Sequence, residues 1–423
     1  MSSDEQGGDG IDRRGFLKCM AWAGTGVVWG MKAGVPTSFA VSRLGDLTAE
    51  ERGSIFFAQV SDSHIGFNKA ANSDVTATLR QAVDRLNALP QQPAFILHTG
   101  DITQLAKASE FDTASEVLKG ARTERIIYVP GEHDVAGDNG AAYLQRYGRG
   151  TRGGGWQSFD HSGVHFVGLV NVLNLKAGGL GALGDEQLAW LRRDLAGVSA
   201  STPVVVFAHI PLWNVYPEWG WGTDDSAEAL ALLKRFGSVT VLNGHIHQIM
   251  QKVEGNVAFH TAMSTAFPQP APGTAPGPGP MTVDAGRLTS VLGIANVTYI
   301  PGRTHLAVVD RTLSGEAPAF DLATRDAANA QRSARKTIAL GAGEIGIDNF
   351  AFTPPVLRVK AGDTVTWINQ DDVPHLIVNV EKKFNPSTVL DTDQRYRTVI
   401  RSPGTYHYYC SLHPRMTGTI VAS

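Results

Sequence analysis

The chain has 423 residues, with 37 Lys plus Arg against 40 Asp plus Glu, a formal charge of −3 and two cysteines. That length suggests two or three domains at roughly 100–200 residues each, and 43% hydrophobic with 18% charged residues excludes a disordered chain and a multispanning membrane protein. The near-neutral balance gives no electrostatic reason to expect a nucleic-acid polymer as partner, and two cysteines cannot make a disulfide framework.

Near the N-terminus, Asp12-Arg13-Arg14-Gly15-Phe16-Leu17-Lys18 precedes an apolar stretch from Cys19 to Met31. That stretch is shorter than the ~20 residues a membrane-spanning helix needs, so no stable membrane anchor is expected. Ser38-Phe39-Ala40 follows with small residues suited to cleavage. The segment resembles a twin-arginine export signal, which implies residues 1–40 as a signal peptide and a periplasmic or extracellular destination. Cleavage would leave Cys410 as the mature chain's one thiol.

From 53 to 310, apolar runs alternate with helical patterns. The runs are Ile55–Val60, Phe95–Thr99, Ile126–Pro130, Val204–Ala208 and Val239–Asn243, and between the first two, Val75, Leu79, Val83, Leu86 and Leu89 recur at helical spacing. Strands alternating with helices predict an α/β domain with a largely parallel sheet. Residues 268–280, rich in Pro and Gly, predict a long surface loop between late strands. The polar, Ala/Arg-rich stretch 311–336 predicts a linker. Beyond it, residues 337–423 turn to period-2 patterning (Val356-Leu357-Arg358-Val359, Thr364-Val365-Thr366-Trp367), which predicts a small all-β domain.

Each of the five apolar runs ends in, or is followed by, metal-binding residue types: Asp62-Ser63-His64, Gly100-Asp101, Gly131-Glu132-His133-Asp134, His209 and Gly244-His245-Ile246-His247. Strand carboxyl ends converge on one crevice in an open α/β sheet, so five segments distant in the chain would deliver ligands to one place. Such a set suits two metal ions that clamp the attacking and leaving oxygens of a phosphoryl group.

The pattern resembles the calcineurin-like metallophosphoesterases, over roughly residues 54–310. The resemblance implies an αββα-like sandwich and hydrolysis of a phosphate mono- or diester by a metal-bridging hydroxide. Asp62, His64 and His247 would hold one ion, His209 and His245 the other, and Asp101 would bridge them. The ions implied are divalent or mixed-valent Fe, Mn or Zn. His133, oriented by Asp134, would protonate the leaving oxygen. Glu132 stands where the family has Asn; its carboxylate can still ligate, but it adds a negative charge that would favour a more highly charged ion or slow the attack. Gln104 stands where the purple acid phosphatase branch carries a tyrosine ligand. The remaining histidines (His98, His161, His165, His260, His305 and His407) are expected to be structural. Four aromatics between Trp213 and Trp221 follow His209, either walling a substrate pocket or packing over the sheet.

In the C-terminal part, Cys410-Ser411-Leu412-His413-Pro414-Arg415-Met416 and the upstream His375 supply one thiolate, two imidazoles and a thioether, the donor set of a blue electron-transfer copper site. Residues 341–423 resemble the cupredoxins, with a short ligand loop similar to amicyanin. The resemblance implies a Greek-key sandwich holding one copper ion through His375, Cys410, His413 and Met416, and a redox partner. Leu376 stands where the family often has Asn, which predicts a looser ligand loop. The chain therefore reads as an exported phosphoesterase with an appended copper domain. The competing reading is a copper-binding or electron-transfer protein whose phosphoesterase-like domain is a non-catalytic scaffold.

Overall fold

The computed structural model describes residues 27–32, 35–40, 54–173, 175–300, 306–315 and 339–423. The Arg13-Arg14 motif, His305 and most of the expected linker lie outside the described residues. Strands β1 (Val27–Lys32) and β2 (Val35–Ala40) form an antiparallel pair within the expected export segment.

The phosphoesterase-like part runs β3 (Ile55–Val60), α1 (Val75–Asn87), β4 (Ile96–His98), α2 (Ala108–Leu118), β5 (Ile126–Tyr128), α3 (Ala141–Tyr147), β6 (Gln157–His161), β7 (Val164–Gly168), α4 (Asp185–Ala196), β8 (Val204–Ala208), α5 (Ser226–Leu233), β9 (Val239–Asn243), β10 (Gln251–Glu254), β11 (Val257–Thr261), β12 (Gly293–Tyr299) and β13 (Ala307–Thr312). The strands make two sheets, ordered β10-β11-β9-β8-β7-β6 and β13-β12-β3-β4-β5. The central neighbours are parallel, while β6, β10, β12 and β13 pair antiparallel at the margins.

Alternation along the strands builds three apolar layers. Val205 and Phe207 of β8 join Phe57, Phe95, Phe166 and Leu242 between the two sheets. Val204 and Val206 point the other way, onto Leu191 of α4 and Leu233 of α5. Ala58 and Val60 of β3 pack against Leu79 of α1 and Phe111 of α2. This is helix–sheet–sheet–helix, and strands buried on both faces read as the unbroken apolar runs seen in the sequence. Helix α1 starts at Asp74, whose carboxylate accepts from Ala77 N at 2.9 Å, and it buries Val75, Leu79, Val83 and Leu86 as their spacing predicted.

Two expectations are corrected. The domain does not stop at 310: β13 continues to Thr312 and Leu313 is buried against the α1 layer. Nor is 268–280 simply a surface loop. It forms no helix or strand, but Gln248 Nε2 donates to the carbonyls of Gln269 (2.9 Å) and Pro270 (2.6 Å), and residues 277–279 are buried. A proline-rich segment has few backbone donors left to satisfy, so it can be tucked away without a ladder.

The C-terminal domain comprises β14 (Glu344–Asp348), β15 (Ala351–Thr353), β16 (Val356–Val359), β17 (Thr364–Asn369), β18 (Ile377–Asn379), β19 (Arg395–Val399), β20 (Gly404–Cys410) and β21 (Thr417–Ala422). Sheets β15-β14-β17-β19 and β16-β21-β20-β18 face each other across a core of Ile345, Ile347, Trp367, Tyr408 and Ile420. Trp367 is fully buried; an aromatic of that size contributes roughly 2–3 kcal/mol or more by burial. Cys410 ends β20, and His375 lies just before β18, so pairing of those two strands brings thiol and imidazole together.

Candidate metal centres

In the phosphoesterase-like part, β3, β4 and β5 from one sheet and β8 and β9 from the other end at one place. Backbone bonds tie these ends: Asp62 N to Gly100 O at 3.0 Å, and Gly244 N to His209 O at 3.0 Å. Across the sheets, His245 N donates to Asp62 Oδ1 at 3.0 Å. Asp62, His64, Asp101, His245 and His247 all have φ between 41° and 71°. Side chains other than Gly rarely adopt this left-handed region, and such strain gathers at functional sites. Gly131 and Gly244 make room: a Cβ on the first would collide with Asp101 Oδ1, and one on the second would sit 2.6 Å from Asp62 Oδ2.

The candidate ligand atoms gather around two positions that Asp101 joins. Asp62, His64 and His247 converge in one, with His64 Nε2 3.2 Å from His247 Nε2 and His247 Nε2 3.3 Å from Asp62 Oδ1. Glu132, His209 and His245 converge in the other: Glu132 Oε2 is 3.0 Å from His209 Nε2, and Oε1 is 2.9 Å from His245 Nδ1. Asp101 Oδ2 stands between them, 3.5 Å from His64 Nε2 and 3.4 Å from His209 Nε2.

Glu132 Oε2, His209 Nε2 and His245 Nδ1 are buried and, although close to one another, make no well-aligned hydrogen bond. Orphaned polar atoms this deep are costly, and their convergence with a carboxylate fits a cation. The opposite ring nitrogens are spoken for. His209 Nδ1 donates to Thr99 O at 2.7 Å and His247 Nδ1 to Phe267 O at 2.6 Å. Carbonyls only accept, so Nε2 is the nitrogen each ring leaves for a cation. Burial lowers His209, but the Asp101 and Glu132 carboxylates outweigh it and hold the ring well above its ordinary value, so a metal ion there would displace a proton. His64 Nδ1 meets Gln104 Oε1 at 2.9 Å. Burial pushes the His64 imidazole down to about 3, so it is neutral across the physiological range. Burial pushes Glu132 up, but the neighbouring His245 and His209 outweigh it and hold the carboxylate well below its usual range.

The orienting role expected of Asp134 is corrected. Its carboxylate accepts from the amides of Ile102, Thr103 and Gly131 and from the Thr103 hydroxyl, stapling the β4 loop to the β5 loop. His133 Nδ1 instead donates to the backbone carbonyl of Gln104 at 2.8 Å, and Nε2 lies 4.0 Å from Asp101 Oδ2. Gln104 thus serves two histidines, through side chain and backbone. Its place near Asp101 was the available signal, whereas the Thr99 and Phe267 carbonyls leave no mark in residue identity.

The structural histidines bond away from the centre. His98 meets Ser63 Oγ, His165 sits between Asp160 and Asp194, His260 meets Asp310, and His407 meets Glu381. His161 packs edge-on against Phe95. The aromatic segment divides: Trp219 and Trp221 line the pocket over the site, and Trp213 packs on Phe259.

In the C-terminal domain His375, Cys410 and His413 form the third set. His413 Nδ1 is 3.7 Å from Cys410 Sγ and 3.3 Å from His375 Nδ1. Met416 is buried in the same cluster, and its carbonyl accepts from Cys410 N at 3.1 Å. Asp371, which the motifs did not single out, receives His375 Nε2 at 2.9 Å and the amides of Asn349 and Phe350 at 2.5 and 3.0 Å. Burial lowers the His375 imidazole, but Asp371 and Cys410 together outweigh it and the net is a rise to about 9. The loosening expected from Leu376 is met by backbone bonds: Ser411 N donates to Leu376 O at 3.0 Å and Met416 N to His413 O at 2.9 Å. One thiol, two imidazoles and a thioether fit copper.

The calcineurin-like phosphoesterase family matches residues 57–249, and the cupredoxin-like domain family matches residues 322–422. Amicyanin-alpha of Methylorubrum extorquens is 38% identical over 88 residues, 19% of this chain and 71% of its own. Glycerophosphodiester phosphodiesterase GpdQ of Enterobacter lignolyticus is 28% identical over 210 residues, 46% of this chain and 72% of its own. The serine/threonine-protein phosphatase CPPED1 of Danio rerio is 26% identical over 231 residues, 48% of this chain and 73% of its own. The chain is therefore a phosphoesterase hydrolase that joins a domain of the calcineurin-like metallophosphoesterases to a C-terminal domain belonging to the amicyanin-type cupredoxins.

Proposed function

We propose that the chain is an exported, dinuclear metal-dependent phosphodiesterase carrying one copper ion in its C-terminal domain. The observation that carries the hydrolytic part is the position of Asp101 Oδ2 between the His64 and His209 imidazoles, at 3.5 and 3.4 Å. One oxygen there can bridge two ions, with Asp62, His64 and His247 on one and Glu132, His209 and His245 on the other. When bound, the two ions, of the Fe, Mn or Zn class, polarise the phosphoryl oxygens and lower the pKa of water.

The chain's own residues supply the rest. With Nδ1 committed to the Gln104 carbonyl, His133 lines the pocket and offers Nε2 as the proton donor to the leaving oxygen. Trp219, Trp221 and Phe267 wall the pocket with apolar surface, which suits an ester carrying an organic substituent and keeps bulk water away. Glu132 adds a carboxylate where a neutral amide would serve. Its negative charge favours a monoanionic diester over a dianionic monoester. The GpdQ relative, a glycerophosphodiester phosphodiesterase, agrees with that choice.

The test is hydrolysis of bis(p-nitrophenyl) phosphate and of p-nitrophenyl phosphate by protein loaded with Mn, Fe or Zn, beside Asp101→Asn. Diester turnover that exceeds monoester turnover and disappears in the variant is expected. Two bound ions per chain with no turnover of either ester would refute the proposal and favour a scaffold role.

A further inference from the structure

The copper site and the phosphoesterase site open on one pocket. His413 lines it together with His133, Asp101 and Glu132, and the rings of His133 and His413 stand edge to face with centroids 6.3 Å apart. His375, Cys410 and Met416 are buried, whereas His413 is only half-buried. The copper site's one partly open residue therefore faces the phosphoesterase pocket.

The arrangement is fastened on both sides of that residue. Gly178 N donates to Pro414 O at 2.5 Å, and Arg415 Nη1 donates to Gly178 O at 2.7 Å. Phe350 packs edge-on against His413 at 4.8 Å and lines the pocket too. Lys69 pairs with Asp391 at 3.8 Å across the same junction. The loop that carries Cys410, His413 and Met416 is thus one wall of the pocket above Asp101.

We infer that His413 links the two sites, so that the affinity of the pocket for a phosphate anion depends on the oxidation state of the copper. The inference rests on the hydrolytic reading of the pocket. Cu(II) and Cu(I) differ by one positive charge, and that charge is held one imidazole away from the space an anion would occupy. His133, Asp101 and Glu132 are all buried, so the effective dielectric beside them is low and a charge there is weakly screened. The oxidised centre favours the anion, and by linkage the anion favours the oxidised centre to the same degree.

The test uses the full chain with copper in its own site and redox-silent zinc in the phosphoesterase site. Inorganic phosphate is titrated by calorimetry, once after oxidation with ferricyanide and once after reduction with ascorbate. Phosphate should bind about fivefold or more tightly to the oxidised protein. Reciprocally, saturating phosphate should lower the copper reduction potential, by ~59 mV for each tenfold difference in affinity. In Asp101→Asn the effect of phosphate on the potential should vanish.

Equal phosphate affinities in the two copper states overturn the inference. So does an absence of phosphate binding, or a phosphate effect that persists in Asp101→Asn, which would place the anion elsewhere. Diester hydrolysis on the same zinc-loaded sample separates the two claims. Hydrolysis with copper-independent affinity sinks the linkage alone. Copper-dependent affinity without hydrolysis sinks the hydrolytic reading alone.

Discussion

Replacing Asp371 by Asn tests how the protein sets its copper centre. In the native chain the carboxylate receives His375 Nε2 at 2.9 Å and two backbone amides, and it is almost fully buried. Adding that bond to the imidazole and a metal–nitrogen bond of about 2 Å puts the negative charge roughly 7 Å from the ion. At an effective dielectric near 20, one unit charge at that distance is worth about 2 kcal/mol, or ~100 mV for a one-electron couple at ~59 mV per tenfold. The carboxylate stabilises the more positive Cu(II) state, so Asp371→Asn should raise the reduction potential by tens of millivolts up to about 100 mV. The amide also turns N–H groups toward donors already present, leaving one of them unsatisfied, at about 1–3 kcal/mol of stability. The assay is a redox titration of the Cys410-dependent visible band, with thermal unfolding alongside. A potential that stays put while the fold is intact, or one that falls, would refute this account of Asp371.

Glu132→Asn puts the usual family residue at the site but is too short to reach both His209 and His245. Zinc affinity at that position should fall by on the order of 10-fold, measured by chelator competition, and unchanged affinity would remove Glu132 from the ligand set. His133→Ala should lower kcat for diester hydrolysis by on the order of 10²–10⁴ with bound metal unchanged; a loss confined to KM would mean that the side chain only binds substrate. Away from the metals, His165 lies 2.8 Å from Asp160 and 2.9 Å from Asp194. Burial lowers its pKa, but the bonds to Asp194 and Asp160 outweigh it and the net shift is upward. A raised folded-state pKa gives stability that is present below the ordinary value of 6.5 and is lost as pH rises through the folded value. His165→Gln should therefore be destabilised by up to about 1 kcal/mol below the ordinary value, discounted because Asp160 is largely exposed, and the gap should close as pH rises through the folded value. A gap that widens with pH in chemical denaturation would reverse the reasoning.

Much of this was legible in residue order. Strands buried on both faces show as apolar runs, and β3, β8 and β9 have the bounds that Ile55–Val60, Val204–Ala208 and Val239–Asn243 announced. The candidate ligand side chains follow strand ends, so Asp62, Asp101, Glu132, His209 and His245 could be read as one set, and the structure brings them to one place. Of the histidines expected to be structural, His98, His165, His260 and His407 bond to other side chains and His161 packs on Phe95. The role of Asp134 was misplaced because adjacency to His133 in the chain says nothing about direction: at a loop after β5 the two side chains diverge, one to backbone amides and one to the pocket. Asp371 was passed over because its partner, His375, was counted as a ligand by one nitrogen, and the other nitrogen's needs are invisible until the turn before β18 is built.

The sequence by itself determined the chemistry available, through the identities and order of the donor residues and the period of the strands that deliver them. Only tertiary structure decided which atoms face which. It put the Gln104, Thr99 and Phe267 carbonyls or side-chain oxygens behind the histidines, since backbone acceptors have no residue code. It also placed His413 over His133. The domain junction depends on a few bonds between loops distant in the chain, Gly178 with Pro414 and Arg415, and such contacts have neither periodicity nor motif to announce them.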